Sequence, residues 1–341
     1  MPYYYPIKSI RDNETRQRII DRLLLLRRQM DVQIPQKTES ETMLLATWNI
    51  REFGDNRTME SCFYIAEILC RFDLIALQEV STNLKGLQKV LSLMGPQYDY
   101  IVTDSTDGGA GGGERMAFIY DKSKITFKNI AGELVLPKDK LISGDLQFAR
   151  TPFVVAFQAR WFKFKLATVH IYYGKSSGID PRRLEEIDAV AAYLSKRSKK
   201  EDESYIILGD FNIVNTDDST MKALENNGFF IPDAIKQHPT DLWQTKHYDQ
   251  IAFHFKIDPE MTVFAEGSQK SGAFNFTQSV YTPEDVQIYK DKFPEKAVKD
   301  KSEQDILKYY LSIWRTFQMS DHLPLWTELK IDFSNEYLKS L

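Results

Sequence analysis

Four short apolar runs in this 341-residue chain each stop on a polar residue of a kind that binds cations or moves protons. They are Leu44-Leu-Ala-Thr-Trp-Asn49, Leu74-Ile-Ala-Leu-Gln-Glu79, Leu166-Ala-Thr-Val-His170 and Tyr205-Ile-Ile-Leu-Gly-Asp210, the last followed by Phe211 and Asn212. Runs of this length and composition read as buried strands. A polar residue at the end of a buried strand stands at the edge of a rigid sheet, where a scaffold can present a site. The chain is therefore expected to build sheets and to carry chemistry at their ends.

Further strands are predicted at Met116–Tyr120, Phe153–Phe162, Phe164–Ile171, Tyr248–Phe253 and Leu323–Ile331. The second and third of these form a hairpin. Helical periodicity appears over 60–72, 83–94, 181–196, 218–227 and 302–317, with Pro181 at a helix start where its missing N–H is harmless. Strands interspersed with helices indicate an α+β fold. Residues 1–42 read as a helical extension and linker, with Asn13 or Thr15 as the cap of a helix reaching about Met30. Residues 43–333 form the main domain, 265–318 a long aromatic and lysine-rich insertion, and 334–341 a tail.

Hydrophobic residues make up 43% and charged residues 27% of the chain, which places it among globular proteins. The net charge of −4 excludes a broadly basic nucleic-acid coat. No stretch approaches the ~20 apolar residues of a membrane span. The start, Met1-Pro-Tyr-Tyr-Tyr-Pro, lacks the basic and apolar regions of a signal peptide. Cys62 and Cys70 lie on one predicted helix and read as buried thiols. Together these features predict a reducing, cytoplasmic setting.

Hydrolysis of a phosphate diester requires cations against the charge on the phosphate, a base for water and an acid for the leaving oxygen. Hard cations such as Mg²⁺ or Mn²⁺ take carboxylate and amide oxygens. Asn49, Glu79, Asp210, Asn212 and Asp321 offer them at predicted strand ends. The chain has only five histidines, and two of them, His170 and His322, stand beside such ends. Each residue alone reads more readily as a cap, a turn residue or a structural histidine. The set and its order carry the case.

That order resembles the endonuclease/exonuclease/phosphatase superfamily, and its deoxyribonuclease I-like branch in particular. The matching pieces are Thr47-Trp-Asn-Ile-Arg-Glu-Phe-Gly, Leu77-Gln-Glu-Val, Glu114-Arg-Met-Ala-Phe, Phe148-Ala-Arg-Thr-Pro, Thr168-Val-His, Leu208-Gly-Asp-Phe-Asn, Tyr248-Asp-Gln-Ile and Ser320-Asp-His-Leu-Pro. The resemblance implies a four-layer α/β/β/α sandwich of two mixed sheets. It implies Asn49, Glu79, Asp210, Asn212 and Asp321 around metal and scissile phosphate, and His170 and His322 as the acid–base pair. By the same resemblance Glu114 orients His170, Asp249 orients His322, and Arg51 and Arg150 meet substrate phosphate. A histidine at 170 and an arginine at 51 depart from the abasic-site nucleases and favour the deoxyribonuclease I-like branch. Sphingomyelinases of the superfamily share that histidine, so the branch stays open on this point.

The expected function is metal-dependent phosphodiester hydrolysis, with DNA cut at little sequence preference. The alternative is a phosphatase or phospholipase acting on inositol phosphates or sphingomyelin. Three other features are weaker. The loop Gly108–Gly113 lacks the Lys-Ser or Lys-Thr of a nucleotide loop. The N-terminal helix, with Arg16, Arg18, Arg22, Arg27 and Arg28, offers a surface for a protein partner or self-association, or packs on its own domain. Phe274, Phe276, Tyr281, Tyr289, Tyr309, Tyr310 and Trp314 either stack bases or form core.

Overall fold

The computed structural model describes residues 2–105, 112–175, 178–256 and 270–341. Most of the glycine loop and the start of the long insertion lie outside them. The strands are β1 (Thr42–Phe53), β2 (Leu74–Ser81), β3 (Tyr98–Val102), β4 (Glu114–Asp121), β5 (Ile125–Glu133), β6 (Phe153–Ala159), β7 (Phe162–His170), β8 (Ser204–Asp210), β9 (Asp249–His254), β10 (Ser271–Ala273) and β11 (Leu325–Lys330). They form two mixed sheets, of order β10-β11-β1-β2-β4-β3 and β5-β6-β7-β8-β9. The helices that matter for the site are α1 (Asn13–Gln33), α2 (Met59–Leu69), α3 (Lys85–Met94), α4 (Pro181–Glu201) and α5 (Ser219–Asn226).

Strand β1 shows why the runs are continuously apolar: its two faces enter different cores. Met43 and Leu45 join Leu74, Phe118, Phe153, Leu166 and Ile207 between the sheets. Leu44, Ala46, Trp48 and Ile50 join the side covered by α1 to α3. A strand covered on both faces has no polar alternation. The second sheet is covered in turn by α4 and α5, whose Ile187, Val190, Leu194, Met221 and Leu224 are buried. This gives the four-layer helix, sheet, sheet, helix arrangement.

Each sheet contains one parallel pair in otherwise antiparallel surroundings. β1 and β2 run parallel, joined through α2, and β7 and β8 run parallel, joined through α4. Such crossovers bring the carboxyl ends of the paired strands to one edge, where open sheets carry sites. His170 and Asp210 close β7 and β8, and Asn49 and Glu79 stand near the same edge, where the regular β1–β2 pairing gives way short of Phe53 and Ser81.

A buried polar bridge pins the sheets together. Gln78 Nε2 donates to Thr47 Oγ1 at 3.1 Å and to Thr168 Oγ1 at 2.9 Å, and Thr47 Oγ1 lies 3.3 Å from Gln78 Oε1. All three side chains are fully buried. Thr47 and Gln78 belong to one sheet and Thr168 to the other, so the bond fixes their relative position next to the site.

The N-terminal helix is capped by Asp12, whose side chain accepts from the Thr15 N–H at 2.8 Å, rather than by Asn13 or Thr15. Ile19, Leu23, Leu26 and Met30 are buried at helical spacing against the layer holding α2. Three of its arginines meet acids of the main domain: Arg18 with Glu60 at 3.1 Å, Arg22 with Asp285 at 2.5 Å and Arg27 with Glu67 at 2.8 Å. The late segment packs beside this helix, and Gln29 Nε2 donates to Asn275 O at 2.8 Å. Its aromatics are core: Phe274, Phe276, Tyr281, Tyr289 and Tyr310 are almost wholly buried, and Tyr289 stacks on Trp314 at 4.7 Å. They are not placed to stack on bases. Among the described residues no helix is long and apolar enough to cross a membrane.

Candidate active site

Pairing register assembles the centre. His170 and Asp210 end β7 and β8 and stand opposite each other, and Asp210 stands opposite Asp249 at the start of β9. Glycine is required just before this point. A Cβ on Gly209, which has φ +136°, would lie 2.1 Å from the Val169 carbonyl oxygen, so β8 can approach β7 only without a side chain there. On the other sheet the β1–β2 pairing shifts between Asn49 and Phe53, and the β2–β4 pairing between Leu77 and Val80. Glu79 (φ 59°) and Asn212 (φ 54°) are both held in the left-handed region. Bulges and such backbone re-aim side chains at the cost of ~1–2 kcal/mol per residue, and they persist where the surroundings hold them.

Two histidine–carboxylate pairs face each other across Asp210. His322 Nδ1 lies 2.8 Å from Asp249 Oδ2 in a hydrogen bond, and its Nε2 lies 3.8 Å from Asp210 Oδ2. His170 Nδ1 lies 2.8 Å from Glu114 Oε1, close enough for an ion pair though not aligned as a hydrogen bond, and its Nε2 lies 3.5 Å from the same Asp210 Oδ2. A carboxylate on the far ring nitrogen fixes the tautomer and leaves the near nitrogen facing the reactive space. Burial works against charge on His322, but Asp249, Asp210 and Asp321 outweigh it and hold the imidazole well above its usual range. Burial, with the Arg150 guanidinium nearby, pushes His170 down to about 4.

Asn49 completes the centre. Its Nδ2 donates to Glu79 Oε1 at 2.9 Å and to Asp210 Oδ2 at 3.0 Å, while its Oδ1 is buried without a partner. A buried amide oxygen lacking a donor, beside two carboxylates, is the oxygen-rich set a hard divalent cation takes. Glu79, Glu114 and His170, and likewise Asp210, Asp249 and His322, place donor atoms within 4.8 Å of one another. In each trio one carboxylate is turned to a histidine Nδ1, which leaves Asn49, Glu79 and Asp210 as the better cation ligands. Asn212 is tied down by its own bonds: its N–H donates to Asp210 Oδ1 at 2.8 Å and its Nδ2 to Ile171 O at 2.8 Å.

Residues 46–278 match the sequence pattern of the Endonuclease/Exonuclease/phosphatase family. This chain belongs to that family. Mouse deoxyribonuclease gamma is 29% identical over 185 residues, which is 49% of this chain and 54% of that protein. The chain thus matches about half the length of this relative. Among solved structures, a mannosyl-6-phosphatase of Bacteroides thetaiotaomicron superimposes with a TM-score of 0.55 at 18% identity, covering 84% of this chain and 99% of that one. The catalytic domain of human Nocturnin does so with a TM-score of 0.52 at 16% identity, covering 84% and 94%. These likenesses show the family fold, two mixed sheets between helical layers.

The two histidine–carboxylate pairs and Asn49 lie at a cleft of about 460 Å³ lined by Glu79, Arg150, His170, Asp210, Asn212, Asp321 and His322. Arg150 Nε contacts Glu114 Oε1 and is largely shielded from water. Arg51 stands one link away: it donates to Thr316 Oγ1 at 2.8 Å, pairs with Asp321 Oδ2 at 3.3 Å and lies under the Phe317 ring at 4.1 Å. Sequence reasoning missed Ser320, whose hydroxyl donates to Asn49 O at 2.6 Å and accepts from the His322 N–H at 2.9 Å, stitching the His322 turn to β1. It also missed Tyr173, Asp241, Trp243, Lys246 and Tyr248 on the rim. A lone tryptophan, Trp243, five positions before the Tyr248-Asp-Gln-Ile motif was the available signal.

Proposed function

We propose that this protein is a divalent-cation-dependent phosphodiesterase that cuts DNA with little sequence preference. The observation that carries the reading is the convergence of two carboxylate-oriented histidines on one oxygen of Asp210, beside the unpartnered amide oxygen of Asn49. Asn49, Glu79 and Asp210 would hold the ion, Mg²⁺ or Mn²⁺, with Asp321 close by. When bound, such an ion neutralises charge building on the phosphate. The protein's own groups do the rest. In the cation-free protein, burial and Arg150 push His170 towards the neutral form while the surrounding aspartates push His322 towards the protonated form, the contrast that one proton acceptor and one donor flanking a phosphate call for. Glu114 and Asp249 keep their rings aimed. Asn212 and Arg150 line the wall against which phosphate oxygens would rest, and a guanidinium fork suits them.

Support for DNA comes from the named relative, a deoxyribonuclease. The two free thiols suit a reducing compartment, and we extend the proposal to a cytoplasmic enzyme. Purified protein with Mg²⁺ should nick supercoiled plasmid and leave mannose 6-phosphate, inositol phosphates and sphingomyelin largely untouched. Untouched plasmid alongside rapid turnover of one of the small esters or the lipid would replace this reading with a phosphatase or phospholipase.

A further inference from the structure

The rim carries an aromatic feature that the hydrolytic centre does not use. Trp243 lines the same cleft as His170, Asp210 and His322 and is 58% exposed. Its ring makes no aromatic contact with another described residue. An exposed tryptophan on a loose loop would mean little, but this loop is fixed. Asp241 Oδ1 accepts from the N–H groups of Thr245 and Lys246, both at 2.6 Å, and Asp241 Oδ2 accepts from Thr245 Oγ1 at 3.0 Å. Gln244 turns the chain at φ 56° and donates its N–H to Asp241 O at 2.8 Å. Leu242 N–H donates to Asp321 O at 2.8 Å, and Asp241 forms a bridge to His322. The indole is therefore carried on the strand turn that positions the chemistry. The same cleft is lined by Tyr173, 41% exposed, whose ring meets Tyr248 edge-on at 6.4 Å, and Tyr248 in turn stacks on His322 at 5.4 Å.

We infer that Trp243 is a stacking platform for a nucleobase next to the scissile phosphate, and that the enzyme therefore acts on strands whose bases are unstacked. The inference rests on the phosphodiesterase reading and adds the substrate's shape to it. A tryptophan face also suits a sugar ring, but a sugar brings hydroxyls that need partners. The Asp241 carboxylate is taken up by its own loop, and Lys246 Nζ donates to Tyr248 Oη at 2.5 Å. The exposed indole face fits the π-face of a base and reads no sequence. Within a duplex each base is covered by its neighbours, so the platform is reachable only on single strands, at strand ends or where the duplex opens, as it does in a negatively supercoiled plasmid.

The test compares single-stranded oligonucleotides with the same backbone bearing abasic residues at and beside the cleaved position. Wild-type protein should cut the base-bearing strand about 10- to 100-fold more efficiently, the range that loss of one base stack produces. Trp243→Ala should lose that advantage through KM and leave abasic cleavage unchanged, and Trp243→Phe should restore most of it. Binding to Asp210→Asn protein, followed by quenching of tryptophan fluorescence, separates this claim from the nuclease reading. If thymidine monophosphate quenches and mannose 6-phosphate does not, while no strand is cut by the wild type, the platform stands and the nuclease reading falls. Equal cleavage of base-bearing and abasic strands, a Trp243→Ala variant unchanged on both, or equal binding of the two monophosphates would overturn the inference.

Discussion

His170 and Asp210 close two neighbouring parallel strands opposite each other, with Nε2 3.5 Å from Oδ2. Neither distance nor direction depends on a loop. Both follow from the β7–β8 register, and that register depends on Gly209 letting the strands approach.

Gly209→Ala is therefore expected to damage both folding and chemistry. Its Cβ would collide with the Val169 backbone, which cannot rotate away, so β8 must shift. The mutant should be destabilised by more than ~2 kcal/mol in urea unfolding, the scale of an overpacked core site with unfavourable φ. Residual folded protein should be nearly inactive. Wild-type stability and activity would contradict the register account.

Gln78 offers a stability test with a compensating control. Gln78→Met keeps the volume but leaves the Thr47 and Thr168 hydroxyls buried without Gln78 as partner. An expected cost of about 1–3 kcal/mol follows from one such orphaned group or more. Adding Thr47→Val and Thr168→Val to Gln78→Met should recover much of it, since no polar group then remains to satisfy. A triple variant less stable than Gln78→Met alone would show that the bridge matters for some other reason.

The His322–Asp249 pair should respond to mutation in two distinguishable ways. Asp249 is wholly buried, so His322→Ala strands its carboxylate and should cost about 3–5 kcal/mol as well as activity. Asp249→Asn keeps the shape and removes the carboxylate that orients the ring. It should lower turnover by ~10²–10⁴ with a much smaller change in Tm. Near-normal turnover in Asp249→Asn would remove the pair from the mechanism.

The thiols give a simple check on the helical layer. Burial pushes Cys70 up to about 12 and raises Cys62 as well, so both stay protonated at pH 8, and the thiolate is the reactive form. Folded protein should react with an aromatic disulfide reagent more than ~100-fold slower than protein in denaturant. Rapid labelling of the folded protein would mean that α2 does not pack as described.

Much of the site was legible because its residues end apolar runs, and such runs are strands with little ambiguity. His170 and Asp210 do end their strands in the structure, whereas β1 runs on past Asn49 to Phe53 and β2 past Glu79 to Ser81, across a shift in register that no apolar pattern reports. Strand β5 was not legible. It is a sheet edge with most residues exposed, so it carries no apolar pattern. The surroundings of Arg51 were hidden for another reason. Thr316 and Phe317 reach it from the late segment, more than 260 positions away in the chain, and no local pattern reports that approach. The same holds for Tyr281, Tyr289 and Trp314, which in sequence read as core or as stacking residues and are buried by a long-range fit to α1 and α2. The loop bearing Trp243 is fixed by one aspartate side chain, and in sequence that is an ordinary turn.

The most direct test of the account is DNA cleavage measured against divalent cation in wild type and Asp210→Ala. Asp210 accepts from Asn49, faces both histidines and is buried, so it is the residue through which the whole centre is coupled. Wild-type protein should cut in Mg²⁺ or Mn²⁺, stop in EDTA and recover when the ion is restored in excess. Asp210→Ala should remain folded by circular dichroism and fail to cut at any ion concentration. Undiminished cleavage in excess EDTA, or a folded Asp210→Ala protein that cuts as fast as wild type, would contradict a cation-dependent centre built on this carboxylate.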